Sequence, residues 1–457
     1  MIFDPEYSPE ELERLDKQFI WHPFTQMKDW LAEEPLIIAG GQGSYLEDVQ
    51  GRRYLDGVSS LWVTVHGHQQ ADINRAVVEQ LSHVAHSTFL GLSHVSAIKL
   101  AKKLVQIFPQ NLVKVFYSDN GSTAVEISLK MAFQFWKQCQ KRQPSRTGFI
   151  TFLNGYHGDT IGSVSVGGID LFHKIYKPLL FKSIKVHSPY CYRCHLGKEY
   201  PGCRMSCLGE VEEVMERHHK KVAAIIMEPL IQAAAGMITF PPGYTKSVRE
   251  IAAKYGIFFI ADEVATGFGR TGALFACMLE GINPDFLSMA KGITGGYLPL
   301  AATLTTQEVF DAFSGEYKEK KALFHGHTYT ANPLACAASL ASLEAFETQN
   351  TLSELQGKIG FLREGLKNFR ELKHVGDVRQ LGFMVGIELV RDRDKKKPYL
   401  YGAKTGIKVI RKARERGLVI RPLGDVIVLM PPLSISLTEL ERLLEITYDS
   451  IKDVTET

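Results

Sequence analysis

The chain has 457 residues, 45% hydrophobic and 23% charged, which excludes a disordered polymer and leaves enough apolar surface for two or three domains. A net charge of +3 is close to balance over this length and gives no reason to expect nucleic acid or an anionic membrane as partner. No apolar run approaches the roughly 18 residues of a membrane helix, the acidic start Met1 to Glu6 has no signal-peptide pattern, and seven cysteines fit a reducing cytoplasm better than a disulfide framework.

Ser44 to Asp48 and Arg53 to Asp56 read as a hairpin with Gly51 at its turn, within an N-terminal segment, residues 1–70, expected to pack with the C-terminal part. Short β-rich apolar runs then alternate with amphipathic stretches. Val113–Tyr117, Phe149–Leu153, Ile184–Val186, Ala223–Met227, Ile257–Ala261 and Phe286–Ala290 read as strands. Ala124–Trp136, Leu208–His219 and Thr245–Tyr255 read as helices between them. This alternation predicts an α/β fold, a mostly parallel sheet covered by helices on both faces, over residues 71–346. Asn332 and Pro333 suit the cap and first turn of a long helix to about Phe346. Residues 347–457 read as a smaller α+β domain: helices over 352–369 and 406–416, strands over 384–390, 418–420 and 426–429, and a final helix opened by the Ser436/Glu439 capping box.

Polar groups fall just after the strands, where ligands bind in such sheets. Ser118-Asp119-Asn120-Gly121-Ser122 joins a strand to a helix, so its amides can receive a phosphate; an ordinary turn has the same look. Tyr156 and His157 stand between Gly155 and Gly158, where an aromatic ring can lie against a planar ligand or simply fill a turn. Glu228, Gln232 and the 324–330 run are weaker signals of the same kind. Asp262 and Lys291 end neighbouring strands. A desolvated lysine becomes a nucleophilic amine, and an aspartate can pair with a pyridinium nitrogen. Those are the two groups that pyridoxal 5′-phosphate (PLP) requires of a protein.

The runs Phe259–Gly272, Ala290–Gly296 and Thr328–Pro333 resemble the class III PLP-dependent aminotransferases, a fold-type I family, over almost the whole chain. Trp21–Met27, Ser59–Trp62 and Arg421–Asp425 are similar to one subgroup, the 7,8-diaminopelargonic acid aminotransferases of biotin synthesis. The resemblance implies a seven-stranded sheet, a homodimer and a Schiff base on Lys291, with Asp262 at the pyridine nitrogen. It also implies Gly121 and Ser122 at the phosphate, His327 and Thr328 reaching the phosphate from the second subunit, and Tyr156 stacked on the ring. Trp62, Gly326 and Arg421 would line the substrate site, Arg421 gripping a carboxylate, with Arg270, Asp159 and Phe24 as further contributors. The implied reaction aminates 8-amino-7-oxononanoate, with S-adenosylmethionine or lysine as donor. Phe24 and Val428 depart from the tyrosines common in members that take S-adenosylmethionine, which leaves the donor open. Another class III ω-aminotransferase, acting on a diamine or an ω-amino acid, is the neighbouring reading.

Cys191, Cys194, Cys203 and Cys207 stand outside this account. Their spacing suits a tetrahedral zinc ion or an iron–sulfur cluster, and equally a loop of reduced thiols. A scaffold that keeps the fold and uses this loop is the non-enzymatic alternative, against which the Lys291–Asp262 pair argues. His66 and His68 read as structural or substrate-proximal, not as ligands.

Overall fold

The computed structural model describes residues 7–108 and 111–456, so the Met1 to Glu6 start lies outside the described residues. A seven-stranded sheet forms the centre. Its strands in chain order are β1 (Leu112–Ser118), β2 (Gly148–Phe152), β3 (Ile184–Val186), β4 (Val222–Met227), β5 (Phe258–Asp262), β6 (Phe286–Met289) and β7 (Ala301–Thr306). Their spatial order is β1-β7-β6-β5-β4-β2-β3. Only β7 runs against its neighbours, pairing antiparallel with β6 and β1, so the sheet is mostly parallel as expected. Every residue of β4, β5 and β6 is buried. Covered on both faces, such strands need unbroken apolar runs, which is what the sequence supplies.

β7 was not among the strands read from the sequence. Its run Ala-Ala-Thr-Leu-Thr-Thr has one large apolar side chain, Leu304, yet it occupies an inner position. The small residues bring the helix Gly121–Gln138 close: Thr303 Oγ1 donates 2.9 Å to the Ala124 carbonyl. That helix begins three residues earlier than its apolar pattern implied, because Asn120 caps it and shares a reciprocal bond pair with Thr123.

The hairpin Tyr45–Asp48 and Arg53–Asp56 turns at Gly51, whose φ of +77° favours glycine. A further strand, Ile38–Gln42, pairs on one side, and Leu418–Val419 pairs parallel with Arg53–Asp56 on the other. A separate antiparallel sheet joins Val375–Leu381, Met384–Leu389, Val426–Leu429 and Arg421–Leu423 in that order. The Asn332 cap accepts 3.1 Å bonds from the amides of Leu334 and Ala335, and Ser436 with Glu439 opens the helix Leu437–Thr455. Among the described residues no helix is long and apolar enough to cross a membrane.

Candidate active site

A cavity of about 460 Å³ opens where β1, β4, β5 and β6 end. Trp62, Gly121, Ser122, Tyr156, Asp262 and Lys291 all line it. Residues from five separate stretches of the chain meet here, and parallel strands deliver Tyr156, Asp262 and Lys291 to this edge at their carboxyl ends.

Lys291 leaves β6 at φ +47°, a left-handed conformation that a side chain rarely adopts. The turn aims its amine into the cavity, with Nζ 5.5 Å from the centre of the Trp62 ring. Burial pulls the amine below the usual lysine range, against the opposing pull of Asp262 and Glu228. A greater share is therefore the neutral, nucleophilic form.

Asp262, at the tip of β5, is nearly inaccessible. Its Oδ2 lies 2.7 Å from His157 Nδ1, and its Oδ1 accepts 3.1 Å from the Val264 amide. The sequence singled out His157 but gave it no partner; only the crossing of the β2 and β5 ends makes this pair. Glu228, at the end of β4, accepts from the amides of Tyr156 (3.1 Å) and Ala233 (2.9 Å). Burial raises its carboxyl to about 7, and Asp262 pushes the same way against His157 and those two amides.

Tyr156 donates its hydroxyl 2.7 Å to Asp159, and the Asp159 amide donates 3.1 Å to Ser122 Oγ. Asp159 thus fixes the Tyr156 ring and the start of the helix at Ser122 together. Burial and the Asp159 carboxylate raise the phenol well above its ordinary range, so it stays protonated. The backbone approaches closely here. A Cβ on Gly121 would stand 2.6 Å from Val264 Cγ1, and one on Gly158 would stand 1.9 Å from Ser122 Oγ. Thr123 spends its amide on the cap, leaving the Gly121 and Ser122 amides at the helix start beside the cavity. A phosphate fits this end. The strand-end carboxylate backed by an imidazole, the buried lysine amine and the glycine cradle together fit PLP.

Several expected residues lie elsewhere. Arg270 is a correction: its guanidinium is sealed in the core, donating to the carbonyls of Pro431 (2.8 Å) and Thr64 (3.0 Å), so it does not face the cavity. Burial lowers it to about 9. Gly326, His327 and Thr328 are also off the cavity lining of their own chain; Gly326 and Thr328 are exposed, and His327 Nδ1 lies 2.8 Å from Asp119 Oδ2 at its rim. Phe24 is exposed and meets Phe172 edge-on at 5.3 Å, and Phe172 in turn meets Tyr156 at 6.4 Å. Arg421 is half-buried on its short strand; burial lowers its guanidinium, and Tyr156 opposes that shift. Val428, its cross-strand partner, is fully buried. His66 is buried against Ser342 Oγ at 3.1 Å, and His68 lies 3.0 Å from Asp56. Tyr297 and Leu300 line the cavity without having been foreseen, since their loop carries no motif.

Comparison with known proteins agrees with this arrangement. The family model "Aminotransferase class-III" matches residues 28–451. The adenosylmethionine-8-amino-7-oxononanoate aminotransferase of Geobacter sulfurreducens is 53% identical over 452 residues, 99% of each chain. The crystal structure of the protein of that name from Methanocaldococcus jannaschii superposes with a TM-score of 0.92 at 47% identity, covering 98% of this chain and 99% of that one. An ω-transaminase from Pseudomonas jessenii, solved in complex with PMP, gives a TM-score of 0.92 at 31% identity over 97% of this chain and 98% of that one. With its lysine, aspartate and glycine cradle gathered at one sheet edge, the chain belongs to the class III aminotransferases, which depend on PLP.

Proposed function

We propose that the chain transfers an amino group to 8-amino-7-oxononanoate, giving the 7,8-diamine of biotin synthesis. The observation that carries this reading is Arg421, a half-buried guanidinium with no acidic side chain bonded to it among the described residues, set near Tyr156. Such an arginine is ready for the carboxylate of a long-chain keto acid, which the planar fork grips bidentately. The names of the relatives at about half identity support the same acceptor.

PLP, when bound, supplies an electron-accepting ring. The protein's part follows from its own groups. Asp262, backed by His157, keeps a proton at the ring nitrogen. The Lys291 amine takes a proton from the substrate carbon and returns it, which requires a base that is neutral near working pH. The Gly121 and Ser122 amides hold the phosphate, and Trp62 offers an apolar wall to an alkyl chain. Thr328 stands on a segment exposed in the single chain and serves the phosphate of a second subunit, so the active unit is a homodimer. Residues 1–70, 71–346 and 347–457 form its N-terminal segment, large domain and small domain, and the cytoplasm is its compartment.

The donor is S-adenosylmethionine or lysine. The likeness to ω-transaminases favours a second reading, amination from a diamine or ω-amino acid. Single-turnover amination of 8-amino-7-oxononanoate, run with S-adenosylmethionine, lysine and a diamine as rival donors, tests all of these. Failure to form the 7,8-diamine with any donor would overturn the proposal.

A further inference from the structure

The connection from β3 to the helix Leu208–His218 runs for some twenty residues with one short 3-10 turn, Cys191–Arg193. Its first arm is bound to the C-terminal sheet. Arg193 donates 2.8 Å bonds to Glu388 Oε1 and to the Lys396 carbonyl, and Lys396 Nζ donates 2.8 Å to the Tyr192 carbonyl. Arg379 donates to the Tyr190 hydroxyl at 3.0 Å and to Glu388 Oε2 at 2.7 Å. Arg379 and Glu388 lie on the strands Val375–Leu381 and Met384–Leu389, in the sheet whose edge carries Arg421.

Within this connection all four cysteines, Cys191 exposed and the others half-buried, border one small cavity of about 20 Å³, shared with Pro189, Met205 and Pro241. None is in a disulfide. A space lined for packing alone would be filled as well by alanine or valine. Two thiol pairs from two arms of an irregular loop, spaced Cys-x2-Cys and Cys-x3-Cys, are the donor set of a structural metal site. A loop of this length without elements of its own also needs a tie.

We propose that Cys191, Cys194, Cys203 and Cys207 bind one zinc ion as a structural tetrathiolate, tying this loop to the sheet that carries Arg421. Bonds of about 2.3 Å set tetrahedral sulfurs about 3.8 Å apart. No three of the four sulfurs lie within 4.8 Å of one another, so binding requires the side chains to close across the small cavity. Each thiol gives up its proton, about four per ion at neutral pH, and the zinc remains divalent throughout. The site then carries two negative charges, which Lys198 on the cavity wall offsets in part.

A second cluster lies beside it and must be told apart. His187, His195 and Glu210 place three ligand atoms within 4.8 Å of one another, with both histidines exposed, as Cys191 is. The test uses PLP-loaded enzyme purified without chelator from zinc-supplemented cells. Elemental analysis should find one zinc per chain. Cobalt(II) added to reduced, metal-stripped protein should give the visible bands of a tetrahedral thiolate site and release protons in weak buffer. Cys191→Ser with Cys207→Ser should abolish both the zinc and the bands and lower Tm, whereas His187→Ala should keep them. Should the double variant fail to fold, the cobalt titration of the unaltered chain decides alone. Zinc held through the histidines, acid-labile sulfide with iron, a native disulfide, or thiols whose reagent count is unchanged by zinc would each overturn the proposal.

Discussion

His157 Nδ1 lies 2.7 Å from Asp262 Oδ2, and both side chains are almost wholly buried. The imidazole fixes one carboxylate oxygen and leaves the tip of β5 facing the cavity. Asp262→Asn should lower kcat/KM by about a hundredfold or more, the scale of a lost proton-holding group. His157→Gln keeps a donor at that place and should cost less than Asp262→Asn. Equal losses in steady-state assays would mean that the two do not act in that order.

Lys291→Ala should still bind PLP, without covalent attachment, and lose turnover. Intact-mass measurement after borohydride reduction reads the attachment directly. A reduced adduct that persists in the variant would place the cofactor on another lysine.

Arg421→Ala should raise KM for 8-amino-7-oxononanoate about ten- to a hundredfold, since a hydrogen bond to a charged group contributes about 1.5–3 kcal/mol. PLP affinity should not move, because Arg421 is off the cofactor cavity. Titration of PLP and of the keto acid on the same variant separates the two effects.

Glu228 gives stability a pH dependence of known sign. Its folded pKa of about 7 stands above the ordinary 4.5. The folded state therefore binds more protons in that window, and this contribution is full below 4.5 and lost as pH rises through 7. A shift of this size corresponds to about 3 kcal/mol. Glu228→Gln removes the dependence, so the Tm difference between variant and parent should grow in the variant's favour from pH 4.5 to 7.5. A constant difference across that range would mean that Glu228 titrates as an ordinary carboxyl.

The donor is readable at Phe24, whose ring reaches Tyr156 through Phe172. Phe24→Tyr should shift the kcat/KM ratio toward S-adenosylmethionine and away from lysine, because discrimination is a ratio of those quantities. Val428→Tyr adds volume at a fully buried position beside Arg421 and should lower Tm as well. An unchanged ratio in Phe24→Tyr would remove that ring from donor selection.

The sequence by itself determined the sheet and the residues at its strand ends. Unbroken apolar runs can be satisfied only by burial on both faces, so β4, β5 and β6, and with them Glu228, Asp262 and Lys291, are legible in the sequence. Capping residues do their work within one turn, so Asn332 and Ser436 also declared themselves. The inner strand β7 did not, because its small residues answer to a helix packed across them. Tertiary structure alone decided what each polar group faces. Arg270 and Arg421 look alike as cationic residues in loop-like runs. One is spent on the carbonyls of Thr64 and Pro431, and the other stands half-buried with no acidic partner among the described residues. The His157–Asp262 bond spans 105 residues, and the four cysteines border one cavity only because two arms of one loop meet. Contacts of that range depend on how the chain closes in space, which local pattern does not encode.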